Sequence, residues 1–287
     1  MNRTIIVTDS TSDIPPAMAE ALNIEVVPLT LMFGDEAFRD NLDMTPEQFY
    51  ERLPRSSQLP TTSQPSPVEY MNVYRNILER YPHSPILSFH ISSGLSGTYQ
   101  SAVLAKSMLE DEGELITVVD SLSASYGFGF MVTHAARLAA EDKSPEDILK
   151  SVEQMRQSRK LYFLVDTLEY LQKGGRIGKA SAFLGTLLNI KPILSIDAEG
   201  IIYAVEKVRG RKKAVARMIE LFKEDLKGVN NINVAVGHTA EPESGKEFMQ
   251  ELAGHFTLEE QVLTNIGPVV GSHVGNGTLA VFIWPAQ

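Results

Sequence analysis

The residues best suited to chemistry lie at positions 91–99, which read Ile-Ser-Ser-Gly-Leu-Ser-Gly-Thr-Tyr. They follow the apolar run 85–90 and precede an amphipathic segment, so we predict a strand, a hydroxyl-rich loop and a helix. Hydroxyls, bare backbone N–H groups and the positive end of a helix dipole all favour an anion. The pattern therefore predicts recognition of an oxygen anion.

Two other strand ends carry the same kinds of side chain. Residues 7–12 and 118–123 share a Val-x-Asp-Ser-x-Ser pattern at the ends of two apolar runs. Strands that alternate with helices predict a parallel sheet, in which the carboxyl ends of neighbouring strands form the ligand crevice. We therefore expect the three hydroxyl-bearing strand ends to face one site.

Composition excludes several classes of protein. The chain has 287 residues, 43% hydrophobic and 22% charged, which is long enough for two domains with cores of their own. Its net charge of −10 argues against a protein that coats nucleic acid or an anionic membrane. The absence of cysteine excludes disulfides, thiol nucleophiles and thiolate metal sites. With no signal peptide or membrane-spanning window in the sequence, we expect a cytoplasmic protein with small-molecule ligands.

The pattern of elements predicts two α/β domains that meet near Lys160. Residues 1–160 alternate strands and helices, which predicts a Rossmann-like parallel sheet between helices, with helix starts at Thr45, Ser66 and Ser144. In residues 161–287, two strand-like segments at 190–196 and 201–205 flank a short loop of hairpin type, which predicts a mixed sheet in a two-layer α/β domain.

Four segments receive more specific interpretations. Residues 24–33 resemble one strand, and Ser12 or Asp13 is placed to cap a helix that opens at residues 14–16. The proline-rich residues 54–67 are interpreted as a fixed loop between helices. The glycine-rich residues 267–278 are interpreted as a loop between the last two strands.

No self-sufficient catalytic motif is present. Residues 94–97 are one residue short of the Gly-x-Ser-x-Gly elbow of serine hydrolases. Residues 127–129 begin a dinucleotide-binding pattern, but Val132 stands where its third glycine belongs. Residues 174–176 lack the ending of a phosphate-binding P-loop, and the six histidines show no zinc-binding spacing.

Each candidate binding residue also has a purely structural interpretation. The serines at 92–96 either cap the following helix or contact a ligand, and the hydroxyls at 61–63 either satisfy their own loop or bind. His273 lies among glycines, where packing explains it poorly, yet a lone histidine is more often structural than a ligand. The basic run 207–213 at a helix start opposes the helix dipole, which indicates a phosphate or an acidic partner.

Six stretches together resemble the DegV family, the bacterial fatty-acid-binding subunits of fatty acid kinase. They are residues 9–13, 62–66, 92–99, 173–177, 207–209 and 273–278. The resemblance runs in the family's order from Asp9 to the C-terminus, which makes the combination specific. Asn276 departs from the family's His-x-Gly-Pro-Gly pattern, and we expect it to change loop stiffness more than ligand chemistry.

The resemblance implies a long-chain fatty acid buried in a tunnel, with its carboxylate held between two domains. By the family's motifs, Thr62 and Ser93 donate hydroxyl hydrogen bonds to the carboxylate and the Gly94 N–H is a third donor. His273 is implied to lie beside the head group. Arg209 is implied to lie near the mouth, where an acyl phosphate and the kinase partner meet.

Residues 127–132 and 182–193 are the candidates for contacts with the fatty-acid tail, although ordinary core packing explains these apolar stretches equally well. The residues singled out within them are Gly127, Phe128, Phe183, Leu184, Leu187 and Ile190.

On this interpretation the chain is not an enzyme. It presents the fatty acid to a separate kinase that resembles the ATP-binding part of dihydroxyacetone kinase, and the acyl phosphate serves phospholipid synthesis. ATP and magnesium belong to that partner, so the chain itself is expected to need no cofactor or metal. Transient membrane contact would serve lipid exchange, and no nucleic acid is expected.

Two alternatives stay open. One is a stand-alone serine acyl hydrolase that uses Ser96 or Ser93 with His273. The other is a lipid carrier unconnected to phosphorylation.

Overall fold

The computed structural model describes residues 3–183 and 190–286. In chain order the strands are β1 (Ile5–Asp9), β2 (Ile24–Val27), β3 (Thr30–Phe33), β4 (Glu36–Arg39), β5 (Thr61–Ser63), β6 (Ile86–His90), β7 (Ile116–Asp120), β8 (Lys160–Leu164), β9 (Ile190–Ile196), β10 (Ile202–Arg209), β11 (Asn231–His238), β12 (Thr257–Asn265) and β13 (Leu279–Pro285). The helices are α1 (Pro16–Ala21), α2 (Pro46–Arg52), α3 (Pro67–Arg80), α4 (Thr98–Ser107), α5 (Tyr126–Ala140), α6 (Pro145–Ser158), α7 (Glu169–Lys173), α8 (Arg211–Asp225), α9 (Pro242–Ala253) and α10 (Pro268–Val274).

The fold is α/β, with a parallel sheet in the N-terminal half and a mixed sheet in the C-terminal half. The parallel sheet has the strand order β2-β1-β6-β7. The mixed sheet has the order β10-β9-β8-β13-β11-β12, in which β11 and β12 are parallel and the other neighbours antiparallel. The predicted fold class and the predicted hairpin are confirmed. The domain boundary near Lys160, where β8 begins, stays a prediction.

The predicted helix starts are confirmed by their capping hydrogen bonds. Thr45 and Ser66 each form a capping box, with Gln48 and Glu69 respectively. The Ser144 side chain accepts the backbone N–H of Asp147. A proline follows each of these caps, because the first helical position needs no N–H donor.

Helix α5 lies between the two large sheets. Its residues Phe128 and Met131 pack in the core of the parallel sheet, whereas Tyr126 and Phe130 pack in the core on one face of the mixed sheet. Helices α8 and α9 pack on the opposite face of the mixed sheet. One helix therefore joins the cores of the two halves.

Four local predictions are wrong, three of them in the N-terminal half. Residues 24–33 form two strands in different sheets, because Pro28 interrupts the ladder and β3 pairs instead with β4 and β5. The proline-rich segment contributes strand β5 to that small sheet. The first α-helix begins at Pro16 without a side-chain cap, because Asp13 adopts a left-handed backbone conformation and its carboxylate accepts other donors.

The glycine-rich segment 267–278 is also not the predicted loop, because it contains α10. Pro268 takes the first helical position, and Gly275 ends the helix with a φ of 73° that favours glycine. No helix in the described residues is long and apolar enough to cross a membrane.

Candidate functional site

The three hydroxyl-bearing strand ends lie together at the carboxyl edge of the parallel sheet. The Asp9 carboxylate accepts the Ile91 N–H at 3.1 Å, and the Asp120 carboxylate accepts the Ser93 N–H at 3.2 Å. The loop after β6 is therefore held by the aspartates that end β1 and β7. This arrangement agrees with the expectation that the three ends share one site.

A largely apolar cavity of about 90 Å³ lies between this edge and the mixed sheet. Side chains alternate between the two faces of strand β8. Leu161 and Phe163 therefore face the cavity and form part of its apolar wall, while Tyr162 and Leu164 face α8 and α9. Other apolar lining residues come from β9, β10, β13 and α10: Ile196, Ile202, Ala280, Phe282, Val269, Val270 and Val274. The cavity thus offers an apolar wall built from distant parts of the chain.

Polar side chains gather around Thr62 and His273 in the lining of this cavity. The Thr62 hydroxyl lies 2.9 Å from His273 Nε2. Arg176 also lines the cavity, and its guanidinium is fixed by two backbone carbonyls, with Nε 2.9 Å from Leu95 O and Nη1 2.7 Å from Gly174 O. Its Nη2 has no hydrogen-bond partner among the described residues, which leaves the two N–H groups of this nitrogen for a ligand.

The imidazole of His273 is neutral near pH 7. Burial, together with the positive charge of Arg176, lowers its pKa to about 4. Nδ1 is buried without a hydrogen-bond partner in the described structure. Gly174 makes this position of the ring possible, since a Cβ there would lie 2.3 Å from Nδ1.

The structure brings Thr62 and His273 together but places Ser93 and Gly94 beside the cavity. Both are exposed, neither lines it, and the Gly94 N–H is donated to Ser92 Oγ at 3.1 Å. The turn between β9 and β10 covers this loop, where Ser92 Oγ donates to Gly200 O at 2.8 Å. The role of Ser93 and Gly94 in binding a carboxylate stays a prediction.

Arg209 ends β10 as an exposed side chain without a hydrogen bond or ion pair to any described residue. The basic run around it is divided, because Lys207 Nζ lies 4.5 Å from the centre of the Phe183 ring and Arg211 donates to Asp166 at 3.1 Å. Arg209, like the exposed Lys212 and Lys213 of the same run, therefore remains available for an anionic group or a partner.

None of the candidate tail contacts that the structure describes lines the cavity. Phe128 is fully buried in the core of the parallel sheet, and Gly127 packs behind Phe282, which itself lines the cavity. Phe183 and Ile190 are partly buried and lie outside the lining. Leu184 and Leu187 lie outside the described residues.

Sequence reasoning missed Arg176 and the valines of α10. Arg176 was considered only as part of a failed P-loop pattern, although it stands inside one of the stretches that carry the family resemblance. The α10 valines at positions 269, 270 and 274 are separated from one another by one, four and five positions, which is a helical pattern. That spacing was the available signal for a helix in this glycine-rich segment.

Comparison with known proteins relates the whole chain to one family. The sequence model of the DegV family, described as uncharacterised proteins, matches residues 3–286. Protein DegV from Bacillus subtilis strain 168 is 38% identical over 277 residues, which cover 96% of this chain and 97% of that protein.

Two solved structures are similar along their full length. A DegV family protein from Thermus thermophilus, solved for its fatty acid binding, has a TM-score of 0.92 and 38% identity over 99% of this chain and 100% of its own. DegV from Bacillus subtilis, described as a fatty acid binding protein, has a TM-score of 0.88 and 36% identity over 100% of both chains.

Proposed function

The chain belongs to the DegV family, and we propose that it binds a long-chain fatty acid in the cavity between its two sheets. The observation that carries the proposal is a largely apolar cavity whose lining includes the Thr62–His273 pair and the cation Arg176. A fatty acid matches that combination, because it joins a long apolar tail to a single carboxylate. The fatty acid binding described for the two similar structures supports the same ligand class.

Thr62, His273 and Arg176 can hold the carboxylate together, each with a different role. When neutral His273 donates its Nε2–H to Thr62 Oγ1, the Thr62 hydroxyl is free to donate its own hydrogen to the ligand. Arg176 supplies Nη2 as a charged donor, while its other contacts to backbone carbonyls keep the guanidinium in place. Ser93 and Gly94 join as further donors if the Gly94 N–H exchanges Ser92 Oγ for the ligand.

The tail supplies most of the binding free energy. A chain of about sixteen carbons, fully buried, gains on the order of 10 kcal/mol at ~0.8 kcal/mol for each CH₂ before the costs of association. Such a ligand stays with the protein through purification. The cavity must widen to admit it, and α10 and the β9–β10 hairpin are the elements that line its two sides.

The test is native mass spectrometry of protein expressed in a bacterium, followed by extraction and identification of any bound lipid. We expect a mass increase that corresponds to one fatty acid. In the double variant Thr62→Val with Arg176→Met the ligand should be lost, whereas Thr61→Val, which alters an exposed neighbour on the same strand, should retain it. A ligand-free mass for the wild type under gentle conditions would refute the proposal.

We further propose that the bound acid is presented to a separate ATP-dependent kinase through the surface around Arg209. Arg209 supports this because it is an exposed cation without an ion-pair partner among the described residues. The change Arg209→Ala should keep lipid binding and lower acyl phosphate formation in the presence of the kinase. Unchanged acyl phosphate formation would refute the role of Arg209, whereas absence of acyl phosphate formation by the wild type with the kinase would favour a lipid carrier unconnected to phosphorylation.

The geometry gives less support to a stand-alone serine acyl hydrolase. His273 hydrogen bonds to Thr62 and not to a serine, and the Ser96 hydroxyl lies 2.8 Å from Thr98 Oγ1. A nucleophilic serine needs a base within hydrogen-bond reach. If the isolated protein hydrolysed esters and Ser96→Ala abolished this activity, the result would support the hydrolase alternative.

A further inference from the structure

Helix α10 is capped by side chains from the other half of the protein. Its own N-cap residue is Gly267, which has no side chain to offer. Asp13 Oδ1 accepts the Gly267 N–H at 3.0 Å, and Asp40 Oδ1 accepts the Val269 N–H at 3.3 Å. The N-terminus of α10 is therefore attached to residues that precede it by more than two hundred positions.

The second oxygen of each aspartate is also engaged. Asp13 accepts a hydrogen bond from the Ser125 hydroxyl. Asp40 Oδ2 accepts the Ser10 hydroxyl at 2.7 Å, and Ser10 Oγ in turn accepts the Leu29 N–H at 3.0 Å. Each carboxyl thus bridges α10 to a buried hydroxyl, so its position is fixed from both sides.

Neither carboxyl has a positively charged partner among the described residues. Asp13 is 5% exposed and Asp40 is 1% exposed, and the titratable groups that face them are each other, Asp9 and the Tyr50 hydroxyl. Tyr50 donates to Ile266 O at 2.8 Å, which adds a third attachment to the same segment. Burial raises the pKa of Asp13 well above its ordinary value and that of Asp40 to about 7, and the neighbouring carboxylates act in the same direction.

We propose that Asp13 and Asp40 are positioning residues that hold α10 against the N-terminal half and so control how long a fatty acid stays in the cavity. This inference rests on the proposed function, because α10 lines the cavity with Val269, Val270 and Val274 and carries His273 in its last turn. Both ends of the helix are anchored to the N-terminal half, one by the aspartates and the other by the bond between His273 and Thr62.

The anchoring depends on pH in a defined direction. When α10 lifts, the carboxyls meet water and return to their ordinary pKa, so the lifted form releases protons that the closed form holds. The closed form is therefore favoured at low pH, and its advantage is lost as the pH rises through the raised pKa of Asp40. Between about pH 4, near the ordinary pKa of an aspartate, and about pH 7 the ratio of lifted to closed form should rise about tenfold for each pH unit from this one carboxyl, and above that range it should level off.

A first experiment measures lifting without any lipid. The chain contains no cysteine, so Val269→Cys introduces a single thiol at a side chain that is 4% exposed in the lining. We expect its labelling rate, corrected for the thiolate fraction, to rise by about tenfold for each pH unit between about pH 4 and pH 7 and to level off above that range. Asp40→Asn should flatten this rise, because the amide keeps an acceptor for the Val269 N–H and cannot ionise.

The matched control is Val234→Cys, a fully buried position in the core of the mixed sheet. Its labelling reports global unfolding and should not follow the same pH dependence. If Asp40→Asn fails to fold, Asp13→Asn tests the same argument. Corrected labelling of Val269→Cys that is flat with pH, that matches Val234→Cys, or that keeps its slope in the asparagine variants would overturn the proposal.

A second experiment follows the release of a fluorescent fatty acid from the wild type and from Asp40→Asn. The dissociation rate of the wild type should increase with pH in parallel with the labelling of Val269→Cys, and the variant should lose this increase. A dissociation rate that does not change with pH, together with labelling that does, would refute the proposal that α10 determines how long the fatty acid stays bound. Absence of any lipid binding, with labelling as expected, would refute the proposed function and still support the anchoring of α10.

Discussion

Replacing Thr62 with valine removes one hydroxyl while keeping the shape of the side chain. With a fatty acid bound, the change removes a hydrogen bond to a charged carboxylate, which is worth about 1.5–3 kcal/mol. The affinity should therefore fall about 10- to 150-fold. Thr62→Val also removes the partner of His273 Nε2, which lies 2.9 Å away.

That second loss occurs in the free and in the bound protein, so it affects stability rather than affinity. An unpartnered polar group costs about 1–3 kcal/mol when it is buried, and His273 Nδ1 already has no described partner. Thr62→Val should therefore lower the free energy of unfolding by about this amount in the absence of ligand. Thr62→Ser keeps the hydroxyl and should recover most of both effects.

Displacement of a fluorescent fatty acid measures the affinity, and denaturant unfolding measures the stability. Thr61→Val is the matched control, because Thr61 is the exposed neighbour on β5 and its side chain points to the other side of the strand. An affinity of Thr62→Val within about twofold of the wild type, well below the expected loss, would refute the assignment of Thr62 to the carboxylate. Equal losses in Thr61→Val would refute it as well.

Three further predictions concern the surroundings of His273. Arg176→Met should weaken fatty-acid binding and raise the pKa of His273 from about 4, because Arg176 is a cation that lowers it; NMR titration of the ring measures the shift. Since the pKa of His273 is lower in the folded than in the unfolded protein, its contribution to stability should be present above about pH 6.5 and lost as the pH falls toward about 4. The stability difference between the wild type and His273→Gln, measured by unfolding at several pH values, should shrink over that window. Gly174→Ala should destabilise the protein by roughly 1–3 kcal/mol, because its Cβ would meet His273 Nδ1 at 2.3 Å. Gly254→Ala, which meets only Glu251 O at 3.2 Å, is the control for the measured unfolding midpoint.

The features that the sequence predicted correctly depend on neighbours within a few positions. The capping boxes at Thr45 and Ser66 require a partner three residues away, and the antiparallel β9–β10 hairpin closes over a short turn. The sharing of one edge by Asp9 and Asp120 follows from the alternation of strands and helices. Such signals are complete within a short window of sequence.

Local sequence patterns do not predict the features that depend on contacts across the chain, and only the family resemblance placed Thr62 and His273 at one head group. Thr62 and His273 are separated by 211 positions and Asp13 and Gly267 by 254. Asp13 was interpreted as a cap for the nearby helix, and it does cap a helix, but the helix is α10. The sequence shows that Asp13 can accept N–H groups at the start of a helix. It does not show which helix, because that depends on how the two sheets pack.

The chemistry of the head-group end bears on whether a bound acid can react further. Under the proposed function the carboxylate has to stay ionised to accept a phosphoryl group, since a protonated acid is a poor nucleophile. His273 cannot act as a strong acid toward it near pH 7, because burial and Arg176 hold the pKa of the ring at about 4 and keep it neutral. Arg176 donates from Nε and Nη1 to backbone carbonyls, which hold the guanidinium in place while its remaining N–H groups stabilise the anion. The site therefore favours an ionised carboxylate that keeps a lone pair available, which is the form that a phosphoryl donor requires.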